Sequence, residues 1–149
     1  MRHRKTRRSA LAGFIAGFVA TLIAHQLALT LLWALGIAPF EPFNMAATEP
    51  LGVPAVISLA FWGGVWGIIF AVLQPRFPRR YPNWLVGAVF GAVVPTLVAL
   101  LIVVPLKGGP VGAGWQPAVW LTAVLINGAW GLGTALLLPV VAPQLKRWL

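Results

Sequence analysis

The sequence predicts an all-α membrane protein with four transmembrane helices, and three observations support this prediction. Of the 149 residues, 60% are hydrophobic and only 9% are charged, whereas a soluble globular domain carries roughly 25% charged residues. Four stretches contain no charged residue and are long enough to cross ~30 Å of hydrocarbon as helices. Most Lys and Arg residues lie in the segments that four crossings would place on the same side of the membrane. We therefore expect one polytopic membrane domain covering residues 1–149.

The four predicted helices cover about residues 9–35, 54–74, 83–104 and 117–138. Only a helix satisfies its backbone polar groups within such a segment. The first stretch follows the pair Arg7-Arg8, which partly resembles a twin-arginine signal, but its 27 uncharged residues far exceed the hydrophobic region of a signal peptide. We expect it to remain as an anchor. Pro95 lacks an amide donor, so we expect a bend in the third helix.

The distribution of Lys and Arg predicts the orientation. Ten of the 11 basic residues lie in the N-terminal segment, in the loop 75–82 or at the C-terminus, and only Lys107 lies on the other side. The positive-inside rule then places both termini in the cytoplasm. The basic N-terminus is expected to contact anionic lipid head groups. Because the charge lies beside an apolar segment, we predict no nucleic-acid partner.

A sequence repeat organises the four helices. The pattern G-x-W-G-x-x-x-A-x-L-x-P occurs at residues 64–75 and again at residues 128–139, and the first and third helices each contain a GxxxG motif. We predict two tandem helical hairpins, about residues 9–75 and 83–139. They would be parallel repeats, related by an axis along the membrane normal. Chance recurrence of Gly, Ala and Leu in apolar segments is the alternative.

Glycines are the expected helix contacts, because helices in lipid associate where small residues let backbones approach. The candidates form ridges that face either the inside of the bundle or a second copy of the chain. They are Gly13, Gly17, Gly63, Gly67, Gly87, Gly91, Gly128 and Gly131. A homo-oligomer therefore stays open.

Polar residues inside the predicted spans are costly in hydrocarbon, so His25, Gln26 and Asn127 form a candidate intramembrane site. One interpretation is a structural hydrogen bond between His25 and Asn127, and the other is a path for a solute or a proton. Glu41 and Glu49, in the longest external loop, are candidates for the mouth of this site. A single intramembrane His supplies too few ligands for a bis-His haem in one chain.

Trp62, Trp66 and Trp130 lie within the second and fourth spans, away from the interfaces that Trp favours. They fit either ordinary helix packing or an apolar groove for a carotenoid, a quinone or a lipid tail. With no Cys, no Asp and two Glu, the chain has few groups for acid–base chemistry or metal binding. We predict no cofactor, no metal site and no enzymatic activity.

The strings AGFIAGFVATLIAHQ and ISLAFWGGVWGIIFAVLQP resemble those of an uncharacterised group of small bacterial inner-membrane proteins. This resemblance covers most of the chain. It implies a four-helix membrane fold in the bacterial inner membrane, and it supplies no activity or site residue. The sequence as a whole favours a non-enzymatic accessory or scaffolding component of a membrane complex or homo-oligomer. The alternative is a small transporter or channel around His25 and Asn127.

Overall fold

A computed structural model describes residues 2–148 of the protein. Within them, four helical segments are long and apolar enough to cross a membrane: Ser9–Ala34, Ala55–Arg76, Asn83–Leu106 and Pro117–Leu145. The all-helical class and the four spans are therefore confirmed, as a multi-pass membrane protein requires.

The first helix, α1, is continuous but irregular near its middle. It runs as α-helix over Arg2–Ala20 and Gln26–Ala34, and the two parts are joined by a π-helical turn, Thr21–His25. Turns of this kind are rare and often occur at functional sites. The turn in α1 ends at one of the candidate polar residues, His25.

The third helix, α3, has a similar irregularity, and α2 is regular. Helix α2 covers Ala55–Leu73 and ends in a 3₁₀ turn. Helix α3 covers Asn83–Val98 and continues through a π-helical turn, Ala99–Val103, into a short α-helical end. The backbone remains helical through Pro95, and the irregular turn follows one helical turn later.

The fourth helix, α4, is longer than the sequence predicts. It runs over Pro117–Trp148 and includes Pro139 and Pro143, although residue 138 is its predicted end. A proline removes one amide donor and leaves the rest of the helical hydrogen bonds in place, which membrane helices tolerate. In α2, by contrast, the matching Pro75 lies in the 3₁₀ turn that ends the helix.

The helices form a bundle in which α1 and α4 pack against each other, α2 packs along α1, and α3 packs along α4. The α1–α4 contact is close, since a Cβ added at Gly133 would lie 2.8 Å from the Ala24 Cβ. Helices α2 and α3 meet mainly through aromatic side chains, with the Phe70 and Phe90 ring centroids 5.4 Å apart. The core combines alanines of α1 with these rings and Trp130.

The loop between α1 and α2 is folded. Strand β1, Ala47–Thr48, pairs antiparallel with strand β2, Val53–Pro54. The Thr48 hydroxyl donates to the Val53 carbonyl at 2.7 Å, and Gly52 supplies the left-handed conformation of the turn with φ +68°. The loop therefore forms a miniature hairpin at one end of the bundle.

Candidate intramembrane site

His25 and Gln26 are adjacent in sequence, and both are buried, with 5% and 2% of their surface exposed. The Gln26 Nε2 and His25 Nδ1 atoms lie 3.2 Å apart, within hydrogen-bond distance. Consecutive side chains on a helix point about 100° apart, so both are buried only where a helix is covered on two sides. The turn Thr21–His25 meets this condition because α2 and α4 both contact it.

The loop between α1 and α2 reaches this pair at Gln26. The Phe43 amide donates a 2.6 Å hydrogen bond to the Gln26 Oε1 atom, and Phe43 has the left-handed φ of 51°. The loop is also tied to the start of α2, because the Val56 amide donates to the Asn44 carbonyl at 2.9 Å. The loop therefore lies against this end of the bundle and is fixed to both Gln26 and the start of α2.

The two carboxylates of the loop do not line this site. Glu41 and Glu49 are both exposed to the surroundings. The polar group that reaches Gln26 from the loop is the backbone amide of Phe43. An amide needs a partner when it is removed from water, and an uncharged side chain provides one at lower cost than a carboxylate.

Asn127 belongs to a second polar cluster, between α3 and α4. Its Nδ2 donates to the Thr96 hydroxyl at 3.0 Å, and that hydroxyl donates to the Ala123 carbonyl at 3.3 Å. Within residues 2–148, no hydrogen bond joins His25 to Asn127. The structure therefore divides the predicted polar site into a pair on α1 under the loop and a separate pair between α3 and α4.

Four buried threonines add further polar groups inside the bundle, Thr21, Thr96, Thr122 and Thr134, and Thr96 and Thr122 were not predicted from the sequence. Thr96 is 1% exposed, and Thr122 is fully buried. The Thr122 hydroxyl is the only buried side-chain polar atom of the described residues that lacks a hydrogen-bond partner. The signal in the sequence was weak, because Thr is common in membrane helices, where it usually donates to a carbonyl of its own helix.

The three tryptophans do not share a groove. Trp130 is 3% exposed, and its Nε1 donates to the Gly17 carbonyl at 3.0 Å. Trp66 is half-buried and lies edge-on to Phe90, with the centroids 6.4 Å apart. Trp62 is 58% exposed on the outside of α2. The matched positions Trp66 and Trp130 thus have different surroundings.

Seven of the eight predicted packing glycines lie at close contacts within the chain. The contacts of Gly13 and Gly87 correspond. A Cβ at Gly13 would overlap the Gly67 carbonyl and lie 2.7 Å from the Ala71 Cβ, and a Cβ at Gly87 would overlap the Gly131 carbonyl and lie 2.6 Å from the Ala135 Cβ. The close contacts are made by Gly13, Gly17, Gly63, Gly67, Gly87, Gly91 and Gly131.

Gly128 is the exception, because a Cβ there would meet its nearest atom, the Ala92 Cβ, at an ordinary 3.5 Å. The glycine ridges of α1 and α3 therefore face α2 and α4 of the same chain.

The chain matches no protein-family model, no curated protein and no solved structure. The group of inner-membrane proteins that its sequence resembles therefore stays an expectation.

Proposed function

We propose that this protein is a non-enzymatic accessory or scaffolding component of a membrane complex or homo-oligomer. The main support is that the polar side chains inside the membrane spans form hydrogen bonds within the chain. Gln26 bonds to His25 and to the Phe43 amide, and Asn127 bonds to Thr96. Side chains that bond to one another in this way hold helices and loop in register. The interactions left for a partner are then on the surface.

The folded external loop is the surface that we propose for this contact. Met45 is 66% exposed and Leu51 is 84% exposed. Both are held outward by the β1–β2 pairing and by the bond between Phe43 and Gln26. An ordered loop loses less conformational entropy on binding than a flexible one, so it suits a protein partner. The partner would be another membrane protein or a second copy of this chain.

Two finer features belong to the proposal: the tandem repeat and the orientation. The corresponding contacts of Gly13 and Gly87 with α2 and α4 support two tandem hairpins that arose by duplication. The ten-to-one distribution of basic residues supports cytoplasmic termini in a bacterial inner membrane, with anionic head groups around the N-terminal segment.

The orientation can be tested by labelling, because the chain contains no cysteine of its own. Leu51→Cys and Gln144→Cys place single thiols at exposed positions near opposite ends of the bundle. We expect a membrane-impermeant maleimide added to intact spheroplasts to label Leu51→Cys, and to label Gln144→Cys only after lysis. The reverse pattern would invert the proposed topology.

The scaffold proposal is tested by native mass spectrometry of the full chain, extracted from its membrane in mild detergent. We expect a complex larger than one chain with bound lipid, and we expect Leu51→Asp to dissociate it. Leu106→Asp is the matched control, because Leu106 is equally exposed, at 81%, outside the folded loop. A wild-type chain that is always monomeric, or equal loss in both variants, would contradict the proposal.

A small transporter or channel is the second candidate, and one observation favours it. A single side-chain bond, from the Phe43 amide to Gln26, ties the external loop to the buried His25–Gln26 pair. Opening of the loop would expose that pair. Solute-specific flux into proteoliposomes that disappears in His25→Ala and in Asn127→Ala would support transport. Unchanged flux, together with loss of a co-purified complex, would support the scaffold.

A further inference from the structure

The turn between α2 and α3 contains a polar pocket with a volume of about 430 Å³. The residues that line it include Gln74, Arg79, Tyr81 and Asn83. The pocket lies at the end of the bundle opposite the β1–β2 loop, where both helices meet the turn. It does not involve His25, Gln26 or Asn127.

An apolar groove of about 510 Å³ adjoins this pocket. The two cavities share Phe77, Pro78, Tyr81 and Val86, and the groove continues along α3 to Val94. From Leu85 to Val94, the part of α3 that lines the groove, the helix rises about 14 Å at 1.5 Å per residue, which is close to half of the ~30 Å hydrocarbon thickness. The groove therefore has the depth of one lipid leaflet.

The packing of the bundle explains why a groove exists on this side. Helices α1 and α4 approach closely at Gly133 and Ala24, but α2 and α3 are separated by Trp66, Phe70 and Phe90. Large rings at one level hold the backbones apart and leave a cleft beside them. The rings of Phe77 and Phe90, 6.2 Å apart, form part of its wall.

The charges at the pocket are basic. Arg79 lines it, whereas Arg76 donates to the Val72 carbonyl at 3.1 Å and Arg80 lies over the Tyr81 ring at 4.7 Å. Both carboxylates of the chain, Glu41 and Glu49, are in the external loop at the opposite end. A guanidinium beside amide and phenol groups suits a phosphate, which accepts charge-assisted hydrogen bonds.

We propose that this composite cavity binds one anionic phospholipid. The head group lies in the pocket, where Arg79 pairs with the phosphate and Gln74 and Asn83 offer amide donors. One acyl chain lies in the groove along Val89 and Phe90. Basic pockets between membrane helices are recurrent binding sites for anionic lipids. The site differs from the basic N-terminal segment, because its charge is combined with a shaped apolar groove.

The test uses the full chain in mild detergent, titrated with dioleoyl phosphatidylglycerol and separately with dioleoyl phosphatidylcholine, with native mass spectrometry counting the bound lipids. We expect one phosphatidylglycerol to bind about tenfold more tightly than phosphatidylcholine, and Arg79→Gln to remove that preference. Arg147→Gln is the matched control, because it removes the same charge from an exposed residue outside the cavity. We expect it to keep the preference.

A second pair of variants tests the groove. Val89→Trp fills it, whereas Val140→Trp adds the same ring at a similarly exposed position of α4, since Val89 and Val140 are 56% and 60% exposed. We expect only Val89→Trp to weaken phosphatidylglycerol binding. Glycerol 1-phosphate, which has no acyl chain, should not compete.

Three outcomes would overturn the proposal: equal binding of the two lipids, equal effects of Arg79→Gln and Arg147→Gln, or full competition by glycerol 1-phosphate. The last would identify a free-phosphate site.

Discussion

The α1–α2 pair and the α3–α4 pair are joined by the same kind of contact, yet they carry different polar groups. In both pairs, glycines bring the helix backbones together, as at Gly13 with Gly67 and at Gly87 with Gly131. The difference lies one turn away, where Gly63 of α2 faces Thr21 and Asn127 of α4 reaches Thr96. Backbone contact thus sets the geometry of each pair, and in the α3–α4 pair Thr96 adds a hydrogen bond to the Ala123 carbonyl and one with Asn127.

The space around Gly63 explains this difference. A Cβ at Gly63 would overlap the Thr21 hydroxyl, which donates to the Gly17 carbonyl at 2.9 Å. Seventy-four residues after Thr21, the offset that relates Gly13 to Gly87, the chain has Pro95, which has no hydroxyl. A side chain therefore fits at Asn127. At the same offset, Ala99 and Leu100 correspond to His25 and Gln26. The α3–α4 pair therefore has no counterpart of the buried polar pair under the loop.

The largest expected effect comes from adding one methyl group at the close contacts. Gly67→Ala and Gly131→Ala would each drive a Cβ into the carbonyl of a facing glycine, and backbone cannot move aside without separating the helices. We expect each variant to lose about 2–3 kcal/mol in the free energy of unfolding. Unfolding in mixed micelles of sodium dodecyl sulfate and dodecyl maltoside, followed by circular dichroism, measures this loss.

Gly128→Ala is the control for this pair of variants, because its Cβ would meet Ala92 at 3.5 Å. We expect its stability to stay within about 0.5 kcal/mol of the wild type. Unequal losses in Gly67→Ala and Gly131→Ala would show that one helix pair depends more on its glycines than the other. Losses no larger than that of Gly128→Ala would refute the packing argument.

The second-largest expected effect concerns Gly63 of α2, the position that corresponds to Asn127 of α4. Gly63→Ala should cost about 2 kcal/mol, because the Thr21 hydroxyl must move and give up its bond to Gly17. In a Thr21→Ala background, the same change at Gly63 should cost about 1 kcal/mol or less. The double-mutant cycle measures the coupling. Additive losses would mean that Thr21 does not restrict the side chain at Gly63.

The sequence was enough to predict the spans, because length and the absence of charge decide whether a helix can cross a membrane. The ends depend on local geometry that the sequence leaves open. Pro75 lies in the turn that ends α2, but the matching Pro139 lies inside α4. Nothing in the shared pattern G-x-W-G-x-x-x-A-x-L-x-P separates the two cases.

The sequence identifies the unusual polar residues of the spans, but it does not identify their hydrogen-bond partners. Composition alone identifies His25, Gln26 and Asn127 as unusual in apolar segments. Their partners depend on how each helix is rotated about its axis and on the path of a loop. Phe43, whose amide donates to Gln26, has a left-handed φ although it is not a glycine, and no sequence pattern predicts this conformation. Thr96 became visible only as the partner of Asn127.

The third effect compares the tryptophans at matched positions. Trp130→Phe removes the hydrogen bond from Nε1 to the buried Gly17 carbonyl, whereas Trp66→Phe removes a similar ring volume from a half-buried contact with Phe90. We expect Trp130→Phe to lose about 1 kcal/mol more stability than Trp66→Phe. The same unfolding titration gives both values. Equal losses would mean that ring volume, and not the hydrogen bond to α1, determines how much Trp130 contributes to stability.

The smallest effect concerns the hydrogen bond between Asn127 and Thr96, which joins α4 to α3. Asn127→Ala removes the donor to the Thr96 hydroxyl, and that hydroxyl keeps its bond to the Ala123 carbonyl. Side-chain hydrogen bonds between membrane helices contribute about 0.6 kcal/mol, so we expect a loss of that size. A double-mutant cycle with Thr96→Val measures the coupling energy between Asn127 and Thr96, because either single change already removes their hydrogen bond. A coupling near zero would mean that the bond between Asn127 and Thr96 adds nothing to the stability of the α3–α4 pair, whereas a coupling above about 1.7 kcal/mol would make Asn127 a main determinant of it.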